Sequence, residues 1–472
     1  MSWLRKDYFR TPRAPKPRAA PPRWGPRRGP PGAAAQRVQF GGAGPWGRGA
    51  PLRPLSRWRG VLSAFRSLAH RNFRLYYAGQ SVSLIGTWMQ RLAVGWLVYS
   101  HTHSALLLGL VSFAGQIPTL LLAPYGGTVA DRYSRYRVLL VTQLASLGQA
   151  CVLAWLVLSG HYATWAVAGL SLLLGTINAF DIPARQSLLV ELVDDRAHLP
   201  NAIALNSTMV NLARLVGPAL AGLLLARFGE GPCFVVNAVS FVAVVASLLL
   251  MRIAPRPVRA HRPGALEGLR EGWAYLRGAP ALRRQILLMA GISFCAMPYG
   301  TLLPVFAKDV FHGQAGTYGW LNSLAGLGAL VGAFYLASRP AENRRPQLIT
   351  YAALGFCASL VGFALSPQLG PALAFITLGG AGMMLFIAGT NTAIQTDVAD
   401  HMRGRVLSYY VMAFQGVQPL GSLLAGWLAR HLGAPHTVLL QGAAGLAVAL
   451  AFWWTGRPAD KQQLAEARAA VS

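Results

Sequence analysis

The stretch Gly127-Thr128-Val129-Ala130-Asp131-Arg132-Tyr133-Ser134-Arg135-Tyr136-Arg137 joins two long apolar runs, 104–125 and 138–159. Each run is long enough to cross a hydrocarbon core of roughly 30 Å as an α-helix. An acid and three arginines in so short a connection cannot face lipid. They belong at the water boundary, where charge costs little and where it can also tie neighbouring helices together.

Outward from this hinge the same alternation continues. Apolar runs of about 20 residues recur from Phe73 onward, each suited to a spanning helix. Over 472 residues the chain is 54% hydrophobic and only 12% charged, with mean hydropathy +0.39. A soluble domain carries about 25% charged residues, so charge is depleted by half. The runs do not alternate with period two, which excludes a membrane barrel and leaves an all-α integral membrane protein. The pattern predicts 12 spans, near 73–99, 104–125, 138–159, 163–182, 202–226, 234–251, 286–307, 318–336, 348–365, 371–393, 406–429 and 437–454.

The formal charge of +28 suggests a nucleic-acid partner, but its distribution does not. Residues 1–60 hold 14 of the 43 Lys and Arg beside one acid, Asp7, in a Pro/Arg/Gly-rich segment. Such a segment has no periodic apolar face and reads as a disordered arm, either resting on anionic lipid or without a function. Most other cations fall in alternate loops. The loops near His101, Gly160, Gly229, His312, Gln368 and Gly433 hold only Arg227, Lys308 and Arg430. Lys/Arg excess marks the cytoplasmic side, so both termini are expected there, in a multi-pass cell membrane protein of bacterial inner-membrane type. The four cysteines fall in or beside four different spans without metal-ligand spacing. No metal cluster, P-loop or nucleophile motif is present. The expectation is a protein that is not an enzyme and needs no metal or cofactor.

The chain also repeats itself. Gly217-Pro218-Ala219-Leu220-Ala221-Gly222, followed by Gly229, recurs as Gly421-Ser422-Leu423-Leu424-Ala425-Gly426, followed by Gly433. Both copies sit at equivalent places in the hydropathy order, in spans five and eleven. That predicts two pseudo-symmetric six-helix bundles, 61–252 and 286–456, about an axis normal to the membrane. Residues 253–285 would link them through an amphipathic helix with Leu266, Leu269, Trp273 and Leu276 on one face, and 457–472 would form a tail.

The hinge has the G-x-x-x-D-R-x-x-R spacing that major facilitator superfamily transporters carry between their second and third helices, with Ser134 and Tyr136 departing from the usual pattern. Thr87-Trp88-Met89-Gln90-Arg91, Pro183-Ala184-Arg185-Gln186, the span-five repeat and Arg403-Gly404-Arg405-Val406 resemble its drug and siderophore exporters, typified by the enterobactin exporter. The resemblance spans roughly 73–454. It implies a 12-helix alternating-access transporter, coupled to protons, exporting a small amphipathic molecule as a monomer in the bilayer, without nucleic acid. It also implies an inner gate of Gly127, Asp131, Arg132, Arg135 and Asp181, with Arg135 paired to Asp181, and Gly217-Pro218 as an exporter feature. An importer, an intramembrane enzyme and a non-transporting membrane protein remain alternatives.

Read from the residues alone, Asp131 suits the positive N-terminal end of span eleven, and the hinge arginines otherwise serve topology. Gly217, Pro218, Gly222, Gly421 and Gly426 suit close helix packing. Arg214 lies about ten residues into span five, too deep to reach water easily, so it lines a pathway for anionic groups or pairs with an acid. Arg91 in span one either joins that pathway or reaches the outer interface. Gln90, Asn178, Tyr299 and Asn391 are further pathway candidates on spans one, four, seven and ten. Trp88 and Phe386 are candidate cavity walls.

Overall fold

The computed structural model describes residues 66–160, 163–193, 198–253, 265–338, 346–399 and 402–469. The arm expected over 1–60 lies outside the described residues, as does the side chain of Asp131. After a 3-10 turn at Arg66–Ala69, the first half consists of α1 (Arg71–Thr102), α2 (Ala105–Arg132), α3 (Arg135–Leu158), α4 (Thr164–Glu191), α5 (Leu199–Phe228) and α6 (Gly231–Leu249). A short α7 (Ala265–Gly278) leads to α8 (Pro280–Cys295), α9 (Tyr299–Val305), α10 (Ala315–Ser338), α11 (Pro346–Ala364) and α12 (Leu369–Asp397). The chain closes with α13 (Arg403–Val411), α14 (Gln418–Leu432) and α15 (Ala434–Ala469).

Ten helical segments among the described residues are long and apolar enough to cross a membrane, with α8, α9 and the π turn Phe306–Val310 counted as one, 280–310. The segments expected as the other two spans do not meet that measure. One is α1, 32 residues long but diluted by Arg71, Arg74 and Arg91. The eleventh is divided into α13, a π turn at Met412–Gly416 and α14.

Packing follows two halves. In the first, α2 packs on α4, α1 on α5 and α6, and α3 on α4 and α6. In the second, α10 packs on α12, α11 on α12 and α15, and α8 on α15. The principal contacts between halves are α5 with α10 and α2 with α14. In the expected numbering of spans these are five with eight and two with eleven, the pairing that an expected two-fold relation of the halves calls for.

Local chemistry explains the ends. Ser104 starts α2 by accepting from the Leu107 amide at 3.3 Å. Gly229 and Gly433 end α5 and α14 with φ of 75° and 80°, a conformation only glycine reaches without strain. These two glycines close the two copies of the repeat. Trp165, Trp427, Leu223 and Trp454 are exposed. On a protein in water such surface would drive association, whereas lipid tails are its natural solvent.

The amphipathic helix docks on protein as well as facing outward. In α7, Leu276 is buried, Glu271 pairs with Arg405, and the Leu269 carbonyl accepts from Tyr409 at 2.9 Å. Trp273 stays partly exposed against Tyr409.

Candidate functional site

Trp88 of α1 is the centre of the site. The guanidinium carbon of Arg91 lies 4.7 Å from the centroid of its ring, and that of Arg214 from α5 lies 5.8 Å away. Trp88 and Arg91 are three apart and so share a helix face. A guanidinium over an indole gains about 0.5–2 kcal/mol, depending on desolvation. Gly217 explains why α5 comes so close. A methyl group there would lie 2.6 Å from Trp88 Cβ and 2.9 Å from the Ile85 carbonyl.

Groups from the second half complete the surroundings. Tyr318 of α10 reaches α1, its hydroxyl 2.9 Å from where a methyl on Gly95 would stand. Among the described residues neither arginine makes a hydrogen bond or an ion pair. A cation at the centre of a spanning helix costs about 2.5–3.5 kcal/mol on insertion scales and is tolerated where it meets a wet cavity. Arg91 is exposed and Arg214 half-buried, in keeping with such a space between the halves. Arg91 lies with its guanidinium over the Trp88 ring.

The other candidates divide. Tyr299 is buried and meets the ring of Phe356 edge-on at 6.0 Å. Asn178 is half-buried, and Asn391 accepts from Gln395 at 3.1 Å, one turn along α12. Gln90 sits between helices of the first half. It is 3% exposed, accepts from Asn237 at 2.7 Å and donates to Gln149 at 3.2 Å. That amide chain ties α1 to α3 and α6 inside the first half, giving both ends of the Gln90 amide a partner from a neighbouring helix. Phe386 is likewise fully buried packing. A recess of about 430 Å³ between α2, α3 and α4, over Val141 and Phe180, is lined by Arg137 but by none of Trp88, Arg91 and Arg214.

At the hinge the expected pairing of Arg135 with Asp181 is not found. Arg135 pairs with Glu191. Asp181 accepts from Thr142 at 2.9 Å and Gln143 at 2.7 Å, with Arg185 at 3.4 Å. The reason is helix rise. Asp181 lies ten residues before Glu191 on α4, about 15 Å deeper, level with the second turn of α3 and beyond the reach of its first residue. Arg132 is exposed. Gly127 has open space where a Cβ would stand; Gly126 is the glycine in close contact, a methyl there colliding with the Ala179 carbonyl of α4.

The opposite ends of the helices carry a latch that no sequence motif announces. Tyr99 of α1 donates to Asp309 in the π turn after α9. The Lys308 ammonium donates to the Ser100 carbonyl at 3.0 Å and lies 3.3 Å from His103 Nε2. Trp96 stacks on Tyr318 at 6.2 Å. All of these contacts cross between the halves. The repeat supplies the close approach. A methyl on Gly222 would lie 2.9 Å from Gly319 Cα, and one on Gly426 2.6 Å from the Ala105 carbonyl and 2.9 Å from Gly109 Cα. Gly421 seats α14 on Pro298, 2.6 Å from where its methyl would stand, as Gly217 seats α5 on Trp88. Pro218 is buried beside Gly217 within α5.

Ten segments able to cross a membrane, packed in two groups that meet through α5 with α10 and α2 with α14, fit a multi-pass membrane transporter of major facilitator type. The transmembrane secretion effector family model matches residues 62–469, and the chain belongs to that family. It is 27% identical over 390 residues to the staphyloferrin A transporter of Staphylococcus aureus, covering 81% of this chain and 96% of that protein. It is 24% identical over 382 residues to macrolide efflux protein A of Streptococcus pyogenes, covering 80% and 94%. With the multidrug efflux pump Tap of Mycolicibacterium fortuitum it shares 28% over 377 residues, 77% of this chain and 88% of that one. The nucleoside transporter NupG shares the fold with a TM-score of 0.64 at 14% identity, covering 81% of this chain and 98% of that one. A bacterial homologue of the lysosomal transporter Spinster does so with 0.65 at 14%, covering 83% and 97%. The family and its members are transporters, not enzymes.

Proposed function

We propose that this protein is a 12-span, proton-coupled exporter of a small amphipathic molecule such as a siderophore or drug. Its first bundle runs over 61–252 and its second over 286–456, joined by 253–285. In this reading the hinge end, rich in arginine, faces the cytoplasm together with both termini. The latched end then faces outward, and the conformation described is closed outside and accessible from within. Cargo would enter from the cytoplasm, reach Trp88, Arg91 and Arg214, and leave when the latch opens and the hinge end closes. Asp131 and the start of α13 would meet in that second state. A monomer suffices, because the site lies between halves of one chain.

The observation that carries this reading is the latch. Contacts that cross between halves gather at one end around repeat-related glycines, as a rocking two-bundle carrier requires. The names of the relatives, which include two efflux proteins and a siderophore transporter, support export. The test is movement of erythromycin and ethidium in proteoliposomes of known orientation, with and without a proton gradient. Export requires transport from the hinge side toward the latch side, accelerated when protons can run the other way. Net movement in the opposite direction would make the protein an importer. Transport indifferent to the gradient would remove proton coupling.

A further inference from the structure

Arg91 and Arg214 say something about the cargo. They come from different spans, yet both guanidinium groups approach one indole ring, at 4.7 Å and 5.8 Å. The two cations are therefore closer to each other than the sum of those distances, within the span of one small molecule. Among the described residues neither has an acid. The contrast with Asp181 is direct, since that buried carboxylate has Arg185, Thr142 and Gln143 around it. Like charges held together without an anion repel, and between low-dielectric walls the repulsion is less screened than in bulk water. An arrangement kept for packing alone would replace one of them or add an acid.

We propose that Arg91 and Arg214 form a binding site for a small polycarboxylate, each guanidinium taking one carboxylate while the carbon skeleton lies against Trp88. The planar guanidinium fork matches a carboxylate with two parallel hydrogen bonds, and the indole face offers apolar contact to the atoms between. Two separated cations call for two separated anionic groups, so a single inorganic phosphate satisfies only one of them. The proposal rests on the transporter reading and names its cargo class.

The test uses the full-length protein in lipid nanodiscs, with radiolabelled citrate as probe and its neutral triamide and inorganic phosphate as competitors. Citrate is expected to bind and to be displaced by neither competitor at equal concentration. Arg91→Gln and Arg214→Gln are each expected to weaken it at least about tenfold, and the double variant to abolish it. Arg214→Lys, which keeps the charge and loses the fork, should fall between. Each variant is checked for folding by a monodisperse elution profile and an unchanged helical spectrum. Absence of citrate binding to the wild type, wild-type affinity in the folded double variant, or equal displacement by the triamide or phosphate would each overturn the proposal. Erythromycin and ethidium transport is measured on the same protein. If either moves while citrate does not bind, the anion site fails and the transporter stands. If citrate binds through the arginines and nothing moves, the site stands and the transporter reading fails.

Discussion

The two ends of this bundle are built differently. At the far end, Tyr99 with Asp309, Lys308 with Ser100, and Trp96 with Tyr318 all reach from one half to the other. At the hinge end, among the described residues, Arg135 with Glu191 and Arg185 with Asp181 join parts of the first half, and Arg405 with Glu271 joins the second half to the linker helix. Polar contacts across the halves hold a conformation, whereas contacts within a half hold a bundle together while it moves. The same chemistry therefore does opposite work at the two ends. The asymmetry follows from where the glycines let helices touch.

Three variants break or sharpen that contrast. The largest effect is expected from Gly222→Val with Gly426→Val. Each added side chain meets backbone of the facing half, and overpacking costs about 1–3 kcal/mol per site. With both helix pairs wedged apart, the far end should not close. Transport should fall at least about 100-fold, and a cysteine introduced in place of Trp96 should react with a membrane-impermeant maleimide added from that side. Wild-type protection of that cysteine would mean that close approach of the repeat glycines is not what shuts the end.

An intermediate effect is expected from Tyr99→Phe, which deletes the hydrogen bond to Asp309 and little else. A hydrogen bond to a charged group contributes about 1.5–3 kcal/mol, so the balance between closed and open far ends should shift roughly 10–100-fold. Distances between spin labels on α2 and α14 would report it as a second, longer population. A single unchanged distance would assign the latch to packing alone. The smallest effect is expected from Arg135→Gln. Its pair with Glu191 is partly exposed, with 31% and 20% of the side chains accessible, and such pairs contribute about 0–1 kcal/mol. Thermal stability should change by only a few degrees and the spin-label distances not at all. A shift toward far-end opening would show that this pair also senses the position of the second half.

Several features are legible before any coordinates. The charged hinge between apolar runs points to spans, and two copies of a glycine pattern in register point to halves. The structure gives those copies matched duties: Gly217 and Gly421 seat their helix within a half, and Gly222 and Gly426 across to the other. Arg214 stands out because a cation so deep needs a reason. Trp88 and Arg91, three apart on one face, carry a signal for a shared surface, but nothing in the linear order says that Arg214 reaches the same ring. The partner of Arg135 is not Asp181 because sequence proximity to the end of span four does not specify depth. Gln90 is bonded between α3 and α6, yet an amide in a span looks alike whether it faces cargo or two other helices. The latch has no signature in the sequence, because Tyr99, Lys308 and Asp309 are ordinary residues at helix ends. Tyr99 and Asp309 stand 210 positions apart, and only the docking of the halves pairs them.

Read alone, the sequence points to a membrane protein, to the rough positions of its helices and to a repeated glycine pattern. Those properties are local, because in lipid every backbone group must be satisfied within its own helix and each span declares itself by its own residues. Only the tertiary structure decided which arginine meets which acid, which glycine touches which helix, and that two cations converge on one indole. Those outcomes depend on the depth and rotation of one helix against another. A helix carries the same residues whichever face it turns inward, and only packing selects the face.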